Sequence, residues 1–382
     1  MGLNIDSRLP ETGTSIFTVM SRMAQEHGAI NLSQGFPDFP VSKSLVDLIY
    51  SNMKAGHNQY APMPGVPALR NIIADVIGKT YGHAVNPETD ITITAGGTEA
   101  LFSTIAALIR ADDEVIIFDP SYDSYSPAVR LNGGTPIHIN LSPPDFAIDW
   151  EQVKKRINTR TKMIIINTPH NPCAAVLTSK DMKALEEIAL NYGLIIVSDE
   201  VYERIIFDNQ VHESVLRYPA LSAQSIAVFS FGKTFHATGW KVGYTVAPEP
   251  ITREIRKAHQ FITFSVNTPV QMALSEYMAV AAHYNELGQF YQRKRDYFLE
   301  MIKGSGFLPL ACHGSYFQLL SYANVSEKSD MEMAVWMTKE HQLASIPVSA
   351  FYKDKSDHRL LRFCFAKSEE TLFRAGQILK KI

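Results

Sequence analysis

The stretch SIAVFSFGKTFHATGWKVGY, residues 225–244, contains a short apolar run that ends at Ser230 and is followed by Lys233 and Lys241. A short, β-branched and nearly continuous apolar run is typical of a strand that is covered on both faces of a parallel sheet. Most lysines are solvated, but these two lie among glycine, aromatic and aliphatic residues. The stretch therefore predicts a buried strand whose carboxyl end presents an amine.

The composition is that of a large globular protein. The chain has 382 residues, of which 46% are hydrophobic and 20% are charged, and its net charge is -3. Such a length suggests about two domains. The near balance of charge gives no reason to expect nucleic acid or an anionic membrane as a partner.

The cysteines and the N-terminal segment favour a cytoplasmic protein. Cys173, Cys312 and Cys364 are too few and too scattered for a disulfide framework or a zinc site, so we expect no metal. The first residues lack a basic region followed by an apolar stretch, and no apolar run reaches the length of a membrane span. We therefore expect neither secretion nor membrane insertion.

Strand-like and helical patterns alternate through the middle of the chain. Runs like the one above occur at residues 91–94, 115–118, 163–167 and 194–198, and helical spacings separate them. This alternation predicts an α/β fold, with a large domain at 41–280 whose mainly parallel central sheet is sandwiched by helices. Residues 1–40 and 281–382 are expected to form a smaller α+β domain, although one continuous domain is the alternative.

Polar residues follow each predicted strand at its carboxyl end, where open parallel sheets bind their ligands. Taken singly, each group has an ordinary explanation as a turn, a helix cap or a surface residue. Together they suit the phosphate, ring and aldehyde of pyridoxal 5'-phosphate. The groups are Gly97 and Thr98 at a helix start, Tyr122, Asn171, Asp199 with Tyr202, and Ser230 with Lys233 and Lys241.

These motifs carry a family resemblance over nearly the whole chain. With QGFPDF at residues 34–39, NQYAPMPG at 58–65, NTPHNP at 167–172, SDEVYE at 198–203 and LLRFCFAK at 360–367, the chain resembles the class I/II aminotransferases of fold type I. The residues of these motifs are most similar to those of the methionine and kynurenine aminotransferase branch. Two departures stand out: Cys173-Ala174 replaces the frequent Thr/Ser-Gly, and Lys241 replaces a frequent arginine.

The resemblance implies a role for each motif residue. Catalysis would fall to Lys233, which binds the cofactor aldehyde, to Asp199 at the ring nitrogen, and to Tyr202. The implied cofactor contacts are Gly97, Thr98, Tyr122, Asn171, Asp199, Tyr202, Ser230, Lys233 and Lys241, with Tyr60 reaching the phosphate of a partner subunit in a homodimer. The implied substrate contacts are Gly35, Ile16, Phe17, Asn171 and Arg362, of which Arg362 grips the α-carboxylate.

The expected reaction is transfer of an amino group from methionine or an aromatic or large apolar amino acid to a 2-oxo acid, in a ping-pong cycle. Ile16 and Phe17 support this donor preference, but burial of both in the core explains them equally well. Three other functions are considered. They are a cysteine-conjugate β-lyase on the same scaffold, a ligand-sensing regulator domain, and a nicotinamide dehydrogenase, which the lack of a Gly-x-Gly-x-x-Gly motif disfavours.

Overall fold

A computed structural model describes residues 5–382 of the chain. Its strands are β1 (Ile30–Asn31), β2 (Ile91–Thr94), β3 (Glu114–Asp119), β4 (Thr135–Asn140), β5 (Thr161–Asn167), β6 (Ile195–Asp199), β7 (Ser225–Ser230), β8 (Gly243–Val246), β9 (Leu308–Pro309), β10 (Phe317–Ser321), β11 (Leu343–Ala344), β12 (Ile346–Pro347) and β13 (Leu360–Cys364).

The structure contains fifteen α-helices within residues 5–382, and up to residue 262 they mostly alternate with the strands. They are α1 (Ile16–Glu26), α2 (Lys43–Lys54), α3 (Pro67–Tyr81), α4 (Gly97–Leu108), α5 (Tyr125–Leu131), α6 (Trp150–Arg156), α7 (Ser179–Tyr192), α8 (Pro219–Ser222), α9 (Phe231–Thr234), α10 (Glu249–Ile262), α11 (Thr268–Met278), α12 (Ala282–Asn285), α13 (Leu287–Ile302), α14 (Asp330–Glu340) and α15 (Glu369–Leu379).

The central sheet has seven strands in the order β2-β8-β7-β6-β5-β3-β4. β8 alone runs opposite to the other six strands, so the expected mainly parallel sheet is confirmed. Alternate strand residues enter two separate cores, because side chains of a strand alternate between faces. Ile116 and Ile164 pack with α2, α3, α7 and α11, whereas Ile117 and Ile165 pack with α4, α5 and α10.

A second, smaller core joins the two ends of the chain. The four-stranded sheet β12-β13-β10-β9 is antiparallel, and β1 pairs in parallel with β11. The amide of Cys364 also donates a hydrogen bond of 2.8 Å to the carbonyl of Leu32. Helices α1, α13, α14 and α15 cover these strands with apolar side chains. The domain bounds at residues 41 and 281 stay a prediction.

The ends of the helices around the site follow local chemistry. Helix α4 begins at Gly97 after Gly96, whose φ of 81° lies in the left-handed region that favours glycine. Helix α7 ends at Gly193, also left-handed, as the sequence indicates. Within residues 5–382 no helix is long and apolar enough to cross a membrane, and no group of three or more metal-ligating side chains occurs there.

Candidate active site

The carboxyl ends of β2, β3, β5, β6 and β7 border a cavity of about 270 Å³. Residues from the smaller core close its other side, namely Gly35, Phe317 and Arg362. Twelve of the residues predicted from the sequence line it: Phe17, Gly35, Gly97, Thr98, Tyr122, Asn171, Asp199, Tyr202, Ser230, Lys233, Lys241 and Arg362. The predicted convergence is therefore found in the structure.

One end of the cavity is suited to a phosphate. The N-terminus of α4, at Gly97 and Thr98, offers backbone N–H groups that have no acceptor within the helix, and the helix dipole favours an anion there. The Nζ atom of Lys241 lies beside Gly96, where a Cβ atom would stand only 3.3 Å from it. Glycine at this position therefore lets the lysine ammonium approach the helix start. The hydroxyl-bearing Ser230 lines the same end.

Lys233 carries the amine of the site. It lies in α9, directly after β7, so its side chain enters the cavity at the sheet edge. Its Nζ donates hydrogen bonds to the hydroxyl of Tyr316 (2.8 Å) and the carbonyl of Gly35 (3.3 Å). Burial lowers the pKa of this amine to about 8, and the nearby Arg362 and Lys241 act in the same direction. A substantial neutral fraction is thus available near physiological pH.

Asp199 ends β6 and holds a buried carboxylate. Tyr125 donates a hydrogen bond of 2.6 Å to its Oδ2, and the amide of Val201 donates one of 3.3 Å to its Oδ1. Burial raises the pKa of Asp199 to about 6, against the effect of these two donors. The carboxylate is therefore mainly ionised at neutral pH, as pairing with a ring N–H requires.

Arg362 lies at the opposite wall, fully buried on β13. Its Nη1 donates to Asn171 Oδ1 and its Nη2 to the carbonyl of Ser33, both at 2.7 Å. Its guanidinium stacks 3.9 Å from the ring centre of Phe317 and 5.2 Å from that of Phe17. The Nε of Arg362 is buried without a partner among the described residues.

Two predicted site residues lie outside the cavity. Tyr60 is 81% exposed and packs edge-on against Phe264, with ring centres 5.2 Å apart. Ile16 packs against the smaller core and does not line the cavity. Phe17, one residue further on α1, does line it. Both residues pack against the smaller core, and a substrate contact stays a prediction for each of them.

Sequence reasoning missed several polar or aromatic residues of the site. Gln34 and Phe317 line the cavity, while Tyr125 and Tyr316 bind the side chains of Asp199 and Lys233. Tyr125 lies three residues after Tyr122 in DPSYDSY, a signal that could have suggested it. The position of Tyr316 beside the lysine depends on how the smaller core docks, which no local pattern reveals.

The departure at residues 173 and 174 is accommodated by the backbone. Ala174 adopts a φ of 59°, in the left-handed region that favours glycine. Cys173 is buried, and burial raises the pKa of its thiol well above the ordinary value. It is therefore a small core residue, and its thiol is not suited to act as a nucleophile.

The cavity fits pyridoxal 5'-phosphate. It contains an anion site at the start of α4, a buried amine of lowered pKa at Lys233 and a buried carboxylate at Asp199, with Tyr122 between the two ends. This set complements the phosphate, the aldehyde and the ring nitrogen of the cofactor.

The fold and this site define a cofactor-dependent transferase, and comparison with known proteins specifies its family. Residues 27–379 match the family described as aminotransferase class I and II, so the chain belongs to the class I and II aminotransferases and depends on pyridoxal 5'-phosphate. It is 49% identical to methionine aminotransferase of Escherichia coli strain K12, over 98% of both chains. It is 31% identical to human kynurenine–oxoglutarate transaminase 1, over 94% of both.

Solved structures agree with these sequence relationships. YbdL from Escherichia coli, for which a methionine aminotransferase function has been identified, superposes with a TM-score of 0.97 at 48% identity and full coverage of both chains. N-succinyldiaminopimelate aminotransferase of Mycobacterium tuberculosis superposes with a TM-score of 0.95 at 31% identity, covering 99% of this chain and 100% of its own. The predicted fold type I architecture is thereby confirmed.

Proposed function

We propose that this aminotransferase takes its amino group from methionine or from aromatic and other large apolar amino acids. The observation that carries the proposal is the apolar wall beside Arg362, formed by the rings of Phe17 and Phe317. Arg362 is the only arginine among the described residues that line the cavity. A distal carboxylate, as in aspartate, would therefore find no second arginine among these residues. The similarity to methionine and kynurenine aminotransferases supports the same donors.

Different residues of the chain have different roles in the reaction. Pyridoxal 5'-phosphate, when bound, supplies an aldehyde that takes up the amino group and a cationic ring that accepts electrons. Lys233 would bind the aldehyde in the resting enzyme, with the phosphate held by Gly97, Thr98, Ser230 and Lys241. Asp199 would keep the proton on the ring nitrogen, Tyr122 would stack on the ring, and Asn171 and Tyr202 would contact its phenolic oxygen.

Proton transfer falls to the lysine. Arg362 would hold the substrate α-carboxylate and so orient the Cα–H bond toward Lys233. The free amine of Lys233, whose pKa is about 8, would take that proton at Nζ and would hold it for return within the cavity. The 2-oxo acid product leaves, and a second 2-oxo acid completes the ping-pong cycle in the reverse sense.

We also propose a homodimer with shared active sites. Tyr60 and Phe264 form an aromatic pair on the surface, and Phe261, three residues before Phe264 in the chain, is 87% exposed. Exposed apolar surface of this kind is typical of an interaction site. In the dimer, Tyr60 would reach the phosphate of the partner's site. A cytoplasmic location is part of the same proposal, supported by three buried cysteines that remain free thiols.

The test is a half-reaction screen that follows the cofactor absorbance after single amino acids are added. We expect methionine, phenylalanine and kynurenine to give the largest kcat/KM, and Lys233→Ala to lose turnover while retaining at most noncovalent cofactor. An enzyme that prefers aspartate would contradict the donor proposal. Pyruvate formed from a cysteine conjugate without a 2-oxo acid acceptor would instead indicate β-lyase chemistry.

A further inference from the structure

A buried tyrosine links the amine of Lys233 to the loop that contains Gly35. Tyr316 is fully buried, and its hydroxyl donates a hydrogen bond of 2.5 Å to the Gly35 carbonyl. The same oxygen accepts a hydrogen bond of 2.8 Å from Lys233 Nζ. The phenol therefore contacts both the reactive amine and the loop that closes the cavity.

The directions of these hydrogen bonds determine which atoms of Tyr316 face the amine of Lys233. A phenol has one proton, and here that proton is donated to Gly35, so only lone pairs of Tyr316 face Lys233. The Gly35 carbonyl is a second acceptor at 3.3 Å from Nζ. A neutral amine has two N–H donors and one lone pair. With both donors engaged, its lone pair is left for a proton acceptor role toward the cavity.

The loop can reach the tyrosine only because residue 35 is glycine. A Cβ atom on Gly35 would lie 2.8 Å from Cζ of Phe317 and 3.6 Å from Cε2 of Tyr316. The first of these distances is a clash with a buried ring, so any side chain would displace the loop and its carbonyl. The position of the Gly35 carbonyl is thus coupled to the packing of both rings.

We propose that Tyr316 is a positioning residue that holds the free amine of Lys233 during proton transfer and couples it to the Gly35 loop. The proposal rests on the proposed role of Lys233 as the proton carrier. Removal of the phenol oxygen would leave the amine mobile and would withdraw an acceptor that stabilises its ammonium form. The titratable groups that also face the amine are Asp199, Tyr202, Lys241, Arg362 and Cys364. Of these groups, Tyr202 also contacts Tyr316, with ring centres 5.1 Å apart, so its environment changes together with that of the amine in a Tyr316→Phe variant.

The test compares Tyr316→Phe with Tyr291→Phe. Tyr291 is an equally buried neighbour whose ring centre lies 5.6 Å from that of Tyr316, but its hydroxyl has no partner among the described residues. The readout is the extent of Lys233 acetylation as a function of pH, which peptide mass spectrometry measures. The enzyme is loaded with pyridoxamine 5'-phosphate, which leaves the lysine amine free. Steady-state kinetics with methionine and a 2-oxo acid give kcat and KM.

For Tyr316→Phe we expect the midpoint of acetylation to fall by about one pH unit and kcat to fall roughly tenfold, with KM within about twofold. Tyr291→Phe is expected to keep the wild-type midpoint and kcat. Gly35→Ala, which displaces the second acceptor, should lower both values in the same direction and provides the test if Tyr316→Phe does not fold.

Wild-type values for the midpoint and kcat in either informative variant would overturn the proposal. That outcome differs from failure of the proposed role of Lys233, because in that case Lys233→Ala itself would retain turnover. Equal losses in Tyr316→Phe and Tyr291→Phe would also overturn it, since they would indicate general disturbance of the aromatic packing.

Discussion

Tyr125 donates a 2.6 Å hydrogen bond to Asp199, and both side chains are at least 95% buried. The carboxylate is thus maintained in an environment that disfavours charge, and its pKa rises from an ordinary 3.8 to about 6. A buried charge that awaits a cationic ring costs stability until the cofactor is present.

The first prediction concerns the stability of the cofactor-free protein with Asp199→Asn. The folded-state pKa lies above the unfolded value, so the cost of ionisation is fully present above pH 6 and absent below about pH 4. A difference of about two in pKa corresponds to roughly 3 kcal/mol. We expect the variant to unfold with up to that much more free energy at pH 7, and with no advantage at pH 4.

Urea unfolding of both proteins at the two pH values measures this difference. The variant should at the same time lose most transaminase activity, because asparagine cannot neutralise the ring cation. Equal unfolding free energies at pH 7 would show that the buried carboxylate carries no cost.

The second prediction concerns Arg362→Lys. Lysine keeps the positive charge but lacks the planar fork that bonds Asn171 and Ser33 and stacks on Phe317. We expect kcat/KM for methionine to fall about a hundredfold, a loss of roughly 3 kcal/mol in transition-state binding. Arg359→Lys is the control, because Arg359 is partly exposed and pairs with Glu327. A loss of similar size in the control would reject the assignment.

Donor selection by the N-terminal helix gives the third prediction. Phe17 lines the cavity, whereas its neighbour Ile16 packs into the smaller core. Phe17→Ala should lower kcat/KM for methionine and phenylalanine by tenfold or more, given about 2 kcal/mol for burial of an aromatic side chain, while alanine as donor changes little. Ile16→Ala should reduce thermal stability without changing the order of donors. An unchanged donor order in Phe17→Ala would contradict the proposed specificity.

The fourth prediction tests the dimer through Phe264, which has a φ of 68° and is 46% exposed. Asparagine tolerates this left-handed conformation better than phenylalanine does, so Phe264→Asn should not disturb the local backbone. We expect it to weaken association at least tenfold by removing an exposed aromatic side chain from the proposed interface. Light scattering over a dilution series measures the effect, with exposed Phe373→Asn as the control. A wild-type dimer in Phe264→Asn would place the interface elsewhere.

Strands and their polar ends were the most predictable features. Continuous apolar runs such as 163–167 identify buried strands because both of their faces are covered, and the residue after each run then falls at one sheet edge. By contrast, β4 and β8 were not predicted. The exposed ends of β4 blur its pattern, and β8 is only four residues long and runs opposite to its neighbours.

Site residues contributed by distant packing were less predictable. Tyr316 meets Lys233 across 83 positions, and Tyr125 meets Asp199 across 74. The local sequence of Tyr316 does not differ from that of an ordinary core residue, whereas Tyr125 at least follows Tyr122 in DPSYDSY. Ile16 and Phe17 show the same limit, since only the orientation of α1 on the smaller core separates the residue that lines the cavity from the one that does not.

The parallel pairing of β1 with β11 joins two segments that are far apart in the chain. Ile30 aligns with Leu343, and the amide of Cys364 donates a hydrogen bond to the carbonyl of Leu32, so these partners are separated by more than three hundred residues. Contacts of such long separation form slowly. The half of the cavity that contains Arg362 and Gly35 therefore becomes complete only once these distant segments have paired, which we expect to be a slow step of folding.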